Sequence, residues 1–285
     1  MKKLLEKIKR KPDLIFYSVA GFVVVSFILT ILIDGLNIFG VKNGMIQFLD
    51  IPYFWYHWYD IPFEIPIQWY ILSLVLLVFA MNAGMALARD DNRVFSFWLL
   101  ISLGLILMVV EDAGDVRHHL RFELENLTGE GPMGFFGTIW ELLYFAVLGA
   151  VMAYAILGYR KVYWNDMKIR NYFLAGLIFY GIAVSSSWLG SAFHSEMDFE
   201  LYTLAGEFIM TRMFVNGGVT EKAYELATAN HEWFNFDFMD LVYEESLELL
   251  GAGSLLTAGV YFMKKYKKIP EQNNSSGEGD ETENL

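Results

Sequence analysis

Six times along the chain, about twenty mostly apolar residues pass, and that repetition leaves few folds open. A bilayer's hydrocarbon core is about 30 Å thick and a helix rises about 1.5 Å per residue, so about 20 apolar residues cross it. The runs lie at 14–33, 67–88, 94–116, 139–158, 172–194 and 241–263. They predict an all-α integral membrane protein with six transmembrane helices in one domain, residues 1–268. Of the 285 residues 55% are hydrophobic and only 19% charged, which excludes an ordinary soluble domain of this size.

An even number of spans puts both termini on one side. With the termini cytoplasmic, the inner segments hold sixteen of the 21 lysines and arginines. Every inner segment contributes, as retention of positive charge on the cytoplasmic side requires. The basic start MKKLLEKIKRKPD runs into the first span with no small-residue cleavage site, so that span is expected to be retained. Acids are distributed the opposite way: 23 of the 33 lie outside or at the outer ends of the spans. An acidic outer surface attracts cations and disfavours nucleic acid. The expected location is the cell membrane, multi-pass, with the working face extracytoplasmic.

Two long segments fall outside, 40–66 and 195–240. The first is dense in Tyr, Trp and Phe and is punctuated by Pro52, Pro62 and Pro66. Proline removes a backbone donor each time, so it is expected to lie on the membrane surface, with its amphipathic rings at the interface. The second holds two amphipathic helical patterns around Gly217 and Gly218. The end of the chain, 269–285, is rich in Ser, Gly, Asn and Glu and is expected to be a disordered acidic cytoplasmic tail. Small residues repeat every three or four positions at Ala80, Gly84 and Ala88, at Ala146 and Ala150, and at Gly251, Ser254 and Ala258. Such stripes predict close helix packing.

The third span is apolar only to Val110 and then continues into EDAGDVRHHLR. At about 100° per residue, Glu111, Asp112, Asp115, His118 and His119 fall within an arc of about 120°, and Arg117 and Arg121 point away. Alone this is a solvated helix end. Depth gives it company. Counted from the cytoplasmic end of each span, Glu111 and Glu141 stand at about 26 Å, Glu248 at about 23 Å, and Asp115 and His194 at about 32–33 Å. In the last span Glu245 shares the face of Glu248, and in the fifth Tyr180, Ser187, Ser191 and His194 share a narrow arc. Four helices thus bring titratable groups to one level in the outer leaflet.

Carboxylates in a membrane cost several kcal/mol each when ionised and unpaired. A bound metal is the simplest compensating charge where imidazoles stand beside them. Asp115 and His118 have the acid-x-x-His spacing of di-metal carboxylate bundles, although the chain offers it once where such bundles use it twice. The expected ligand set is Glu111, Asp115, His118, His119, Glu141, His194, Glu245 and Glu248. Glu248 and Glu141 are the candidate general bases where they are not ligands. With no cysteine in the chain, thiolate and Fe–S sites are excluded, and oxygen and imidazole donors suit a divalent metal such as Zn, Fe or Mn.

The pattern fits a metal-dependent membrane enzyme, a hydrolase or a di-iron oxidoreductase, with membrane lipid around it and a lipid or quinone as substrate. No Gly-x-Ser-x-Gly and no Gly-rich phosphate loop occurs. A b-type haem between His118 or His119 and His194 is the electron-transfer alternative, but a haem does not need that many acids. A transporter or a non-catalytic cation-sensing subunit is the third reading. The cytoplasmic halves of the spans offer it only neutral residues such as Ser73, Asn82 and Ser102.

Overall fold

The computed structural model of the protein describes residues 11–30, 64–114, 116–129, 135–192, 203–209, 211, 239 and 243–267. All regular structure among them is helical. The main helices are α1 (Asp13–Thr30), α2 (Glu64–Leu87), α3 (Asn92–Gly114), α4 (Val116–Thr128), α5 (Phe135–Gly158), α6 (Lys161–Trp164), α7 (Met167–Ala192) and α8 (Glu245–Tyr266). Three stretches, Pro66–Leu87, Asn92–Val110 and Glu245–Tyr266, are long and apolar enough to cross a membrane. Asp13–Leu29 and Leu142–Gly158 are apolar but shorter. The fifth expected span falls on α7, which opens on Lys168 and Arg170 and carries a Ser185–Ser187 run. Apart from 64–66, 203–209, 211 and 239, the external segments and the tail 269–285 lie outside the described residues.

α8 is the axis of the bundle. Every residue from Gly251 to Gly259 is buried, as befits a helix apolar on all sides. It packs on α7, α2 and α1. Glycine permits two of these approaches. A Cβ at Gly251 would stand 2.6 Å from Cδ2 of Tyr180 on α7, and one at Gly259 would stand 2.8 Å from the Phe79 ring on α2. Lipid is as apolar as the side chains, so close approach and dispersion hold such helices together.

Polar bonds fix the register of α2 against α8. Gln68 donates to Glu248 at their N-terminal ends, and Asn82 Nδ2 donates to the Gly259 carbonyl at 3.1 Å midway. At their C-terminal ends Arg89 Nη1 donates to the Tyr266 carbonyl at 2.6 Å. The two helices therefore run parallel. Between α2 and α3 the chain reverses in a tight turn. The amide of Asp91 reaches the Ala86 carbonyl and that of Asp90 the Leu87 carbonyl, with Asp90 left-handed at φ 54°, the Schellman arrangement. Asp91 then caps α3 through Oδ1 on the Val94 amide at 3.1 Å.

An aromatic cluster fills the same half of the bundle. Trp98 lies between Phe79 and Phe262, with ring centroids 4.5 and 4.9 Å away, and Phe97 joins it to Tyr163 and Phe173. These rings come from α2, α3, α6, α7 and α8, and such pairs add about 0.5–1.5 kcal/mol each beyond area burial.

Two of the three small-residue stripes do not face where spacing predicts. Ala80, Gly84 and Ala88 are exposed, as are Ala146 and Ala150, and only Gly251, Ser254 and Ala258 are buried. On α2 the packed face is instead Val75, Phe79, Ala83 and Ala86. That face joins the Phe79 ring, seated over Gly259 of α8, with the smaller Val75, Ala83 and Ala86.

Candidate functional site

The first turn of α8 carries Glu245 and Glu248. Acids there complement the positive end of the helix, an effect worth about 0.3–1 kcal/mol. That local benefit does not explain the bond across to the neighbouring helix. Gln68, third residue of the apolar stretch Pro66–Leu87, is buried and donates its amide nitrogen to Oε2 of Glu248, fourth residue of Glu245–Tyr266. Both sit within the first two turns of parallel helices, and so at one level. The other end of the amide, Gln68 Oε1, is buried with no hydrogen-bond partner among the described residues. One turn further along α8, Gly251 receives the ring of Tyr180, which is itself buried. Tyr180, the member of the predicted α7 arc whose side chain is among those described, reaches α8.

Of the eight predicted ligands, His119, Glu245 and Glu248 have described side chains. Glu245 and Glu248 are half-buried on α8, whereas His119 is exposed on α4. Glu111, His118 and Glu141 are placed as helical backbone with their side chains outside the described set. Asp115 and His194 lie outside the described residues. Among the described residues no three His, Asp or Glu side chains group to hold a metal. Arg121 and His119 lie on different sides of α4, as their spacing has it. Arg121, predicted to point away, is buried, so α4 is covered on the side of Arg121 and open on that of His119.

The opposite end of the bundle holds the other polar concentration. Asp13, at the start of α1, accepts from Lys168 Nζ at 3.0 Å and Tyr172 Oη at 2.8 Å, and also from Tyr261 of α8. Burial raises this carboxyl, but the three donors and the charge of Lys168 outweigh it and hold Asp13 below its ordinary value. Asp166 is similar. Burial raises it, and Lys265 together with the amides of Ile169 and Lys168 brings it below the ordinary value. Burial also pushes the Tyr163 hydroxyl up, with Arg160 opposing. These groups pin helix ends to one another, and each carboxylate is already satisfied by donors. Buried polar atoms without a partner among the described residues include Gln68 Oε1 at the other end, Asn82 Oδ1 midway and Trp98 Nε1 in the aromatic cluster.

Gln68 was missed by spacing arguments. A lone amide in an apolar run has no repeat to betray it. Its depth, level with Glu248 in the parallel span, is the signal that would have found it.

No known family matches this sequence, and neither a curated protein nor a solved structure matches it. The class of protein therefore rests on the fold alone: a helical membrane protein with, among the described residues, three helices long and apolar enough to cross a bilayer.

Proposed function

We propose that the chain is a six-span membrane protein with both termini cytoplasmic, whose outer-leaflet carboxylate–histidine site holds a divalent metal and acts on a lipid-like substrate. The reaction class is hydrolysis or di-iron oxidation. The observation that carries the reading is Glu248, an acid at the end of an apolar helix, held by an amide from the neighbouring helix. A carboxylate fixed in this way is preorganised for a cation or a proton transfer. Glu245 lies on the same turn, and by spacing Glu111, Asp115, His118, Glu141 and His194 reach the same level. His119, open to the surroundings on α4, is the weakest member of the set. Orientation draws support from the basic inner segments and from the meeting of Asp13, Arg89, Lys168 and Lys265 near one end of the bundle.

Protein purified without chelator is expected to carry near-stoichiometric Zn, Fe or Mn by elemental analysis. Glu248→Ala and His118→Ala are expected to lose that metal while still folding. Metal-free wild-type protein, no less stable than protein supplied with metal, would overturn the reading.

A further inference from the structure

We propose that the corner between α5 and α7 is a headgroup site for an anionic phospholipid, whose phosphate is held by Arg160, Lys161 and Arg170 around the ring of Trp164. The proposal is independent of the metal reading and concerns the other end of the bundle.

The corner is anchored on one side and open on the other. α6 is a single turn, and Tyr163 pins it: the Tyr163 ring is buried against Phe97 and Phe173, with centroids 5.6 and 4.8 Å away. Trp164, the next residue, faces outward and is 49% exposed. Its amide donates to the Arg160 carbonyl at 2.9 Å, and Arg160 itself has helical dihedrals. Arg160 and Lys161, four and three residues before Trp164, therefore stand on its side of the turn. From the other flank the Arg170 guanidinium lies over the Trp164 ring, 5.3 Å from its centroid. Three cations thus flank one outward-facing indole.

These charges lack the partners that their neighbours have. Lys168 and Lys265 are paired with Asp13 and Asp166, whereas Arg160, Lys161 and Arg170 make no ion pair among the described residues. Two other cations at this end lie over rings, and both are tied down. Arg89, over Tyr266, donates to the Tyr266 carbonyl, and Lys168, over Tyr172, is bonded to Asp13. Arg170 spends only its Nε, on Asn171 Oδ1 at 3.4 Å, among the described residues. Asp166, the nearest acid in the chain, does not neutralise the corner. Its oxygens go to the amides of Lys168 and Ile169 and to Lys265.

What adjoins the cations favours a lipid over a soluble phosphate. Leu157 in the last turn of α5 and Met167 at the start of α7 are 72% and 64% exposed. Apolar surface therefore continues directly from the charged corner. An indole prefers the boundary between hydrocarbon and headgroups. The orientation proposed above puts this corner in the cytoplasmic leaflet, where anionic lipids attract basic side chains. Guanidinium groups match the oxygens of a phosphate in pairs.

The test is native mass spectrometry of the purified full-length protein in detergent, titrated with phosphatidylglycerol and, separately, with phosphatidylcholine of the same chains. The first phosphatidylglycerol is expected to bind about tenfold more tightly or better, since each engaged cation contributes about fivefold. Arg160→Gln, Lys161→Gln and Arg170→Gln are each expected to lose about fivefold for phosphatidylglycerol and nothing for phosphatidylcholine. Arg93→Gln, which removes an exposed cation from the first turn of α3, is expected to bind as wild type does. The exposed Arg160 and Lys161 decide the matter if Arg170→Gln does not fold. Equal affinity of the wild type for the two lipids would overturn the proposal. So would a loss in Arg93→Gln equal to that in Arg160→Gln, which would mark diffuse surface charge. Displacement of the bound lipid by glycerol phosphate at the same concentration would overturn it too, by showing a site for a soluble phosphate.

Discussion

Asp166 serves two elements with one carboxylate. Its Oδ1 accepts from the amides of Lys168 and Ile169 at 3.0 and 3.2 Å, capping α7, while Oδ2 accepts from Lys265 on α8 at 2.9 Å. The ion pair is partly open, with Lys265 54% exposed, so it adds little beyond the cap. Asp166→Ala is therefore expected to cost about 1 kcal/mol, within the range for a lost cap. Asp166→Asn keeps the cap and is expected to cost a few tenths at neutral pH. Thermal unfolding in detergent separates the two. The pH dependence has a definite sign. Asp13 and Asp166 both titrate below the ordinary value of 3.8 when folded. The unfolded chain then binds more protons, so their stabilisation is complete above that value and is lost as pH falls through the folded values. Melting temperature is expected to be flat from neutral pH down to about 5 and to drop below about 4, and Asp166→Asn should remove part of that drop. An unchanged acid limb in Asp166→Asn would mean that Asp166 does not contribute to it.

At the scale of elements, the stretches Pro66–Leu87, Asn92–Val110 and Glu245–Tyr266 were legible because lipid imposes length, and length survives any packing detail. The packed faces were less so. Ala80, Gly84 and Ala88 recur at perfect helical spacing and nonetheless lie exposed, because smallness marks a face only when a partner has bulk to place there. On α8 the partners have it. Tyr180 over Gly251 and Phe79 over Gly259 each occupy the space a Cβ would need. Gly251→Ala is expected to destabilise by about 1–3 kcal/mol, since Tyr180 is hemmed in and cannot swing clear. Gly149 on α5 has nothing within 4 Å of a built Cβ. Gly149→Ala is expected to gain up to about 0.5–1 kcal/mol from backbone entropy. Both can be read from denaturant unfolding in one detergent. Equal effects at the two positions would show that propensity, not the Tyr180 contact, governs Gly251. The candidate site divides along the same line. Glu248 stands out because charge is rare in a span, whereas Gln68 is neutral and single, and only the parallel register of α2 and α8 brings it into view.

For the molecule as a whole, the register of α2 on α8 has a topological consequence. Gln68 meets Glu248, Asn82 meets Gly259 and Arg89 meets Tyr266, so the helices are parallel along their whole length. Parallel neighbours in a membrane must be separated in the chain by an odd number of crossings. Between them α3 is long and apolar enough to cross, and the six-span proposal adds α5 and α7 to make three. The start of α1 follows suit, because Asp13 is bound by Lys168 and Tyr172 at the start of α7 and by Tyr261 toward the end of α8. The proposed six crossings are consistent with all these pairings. The chain contains no cysteine, so single reporters can be added without removing anything. Asn165→Cys, in the turn before α7, is expected to react with a membrane-impermeant maleimide only after the cells are opened. Leu127→Cys, 81% exposed near the end of α4, is expected to react on intact cells. Reaction of both from the same side would break the parallel-helix topology, and a reversed pattern would keep the topology but turn the Gln68–Glu248 end toward the cytoplasm. In that second case the proposed site would face the inner leaflet, with the same residues carrying it.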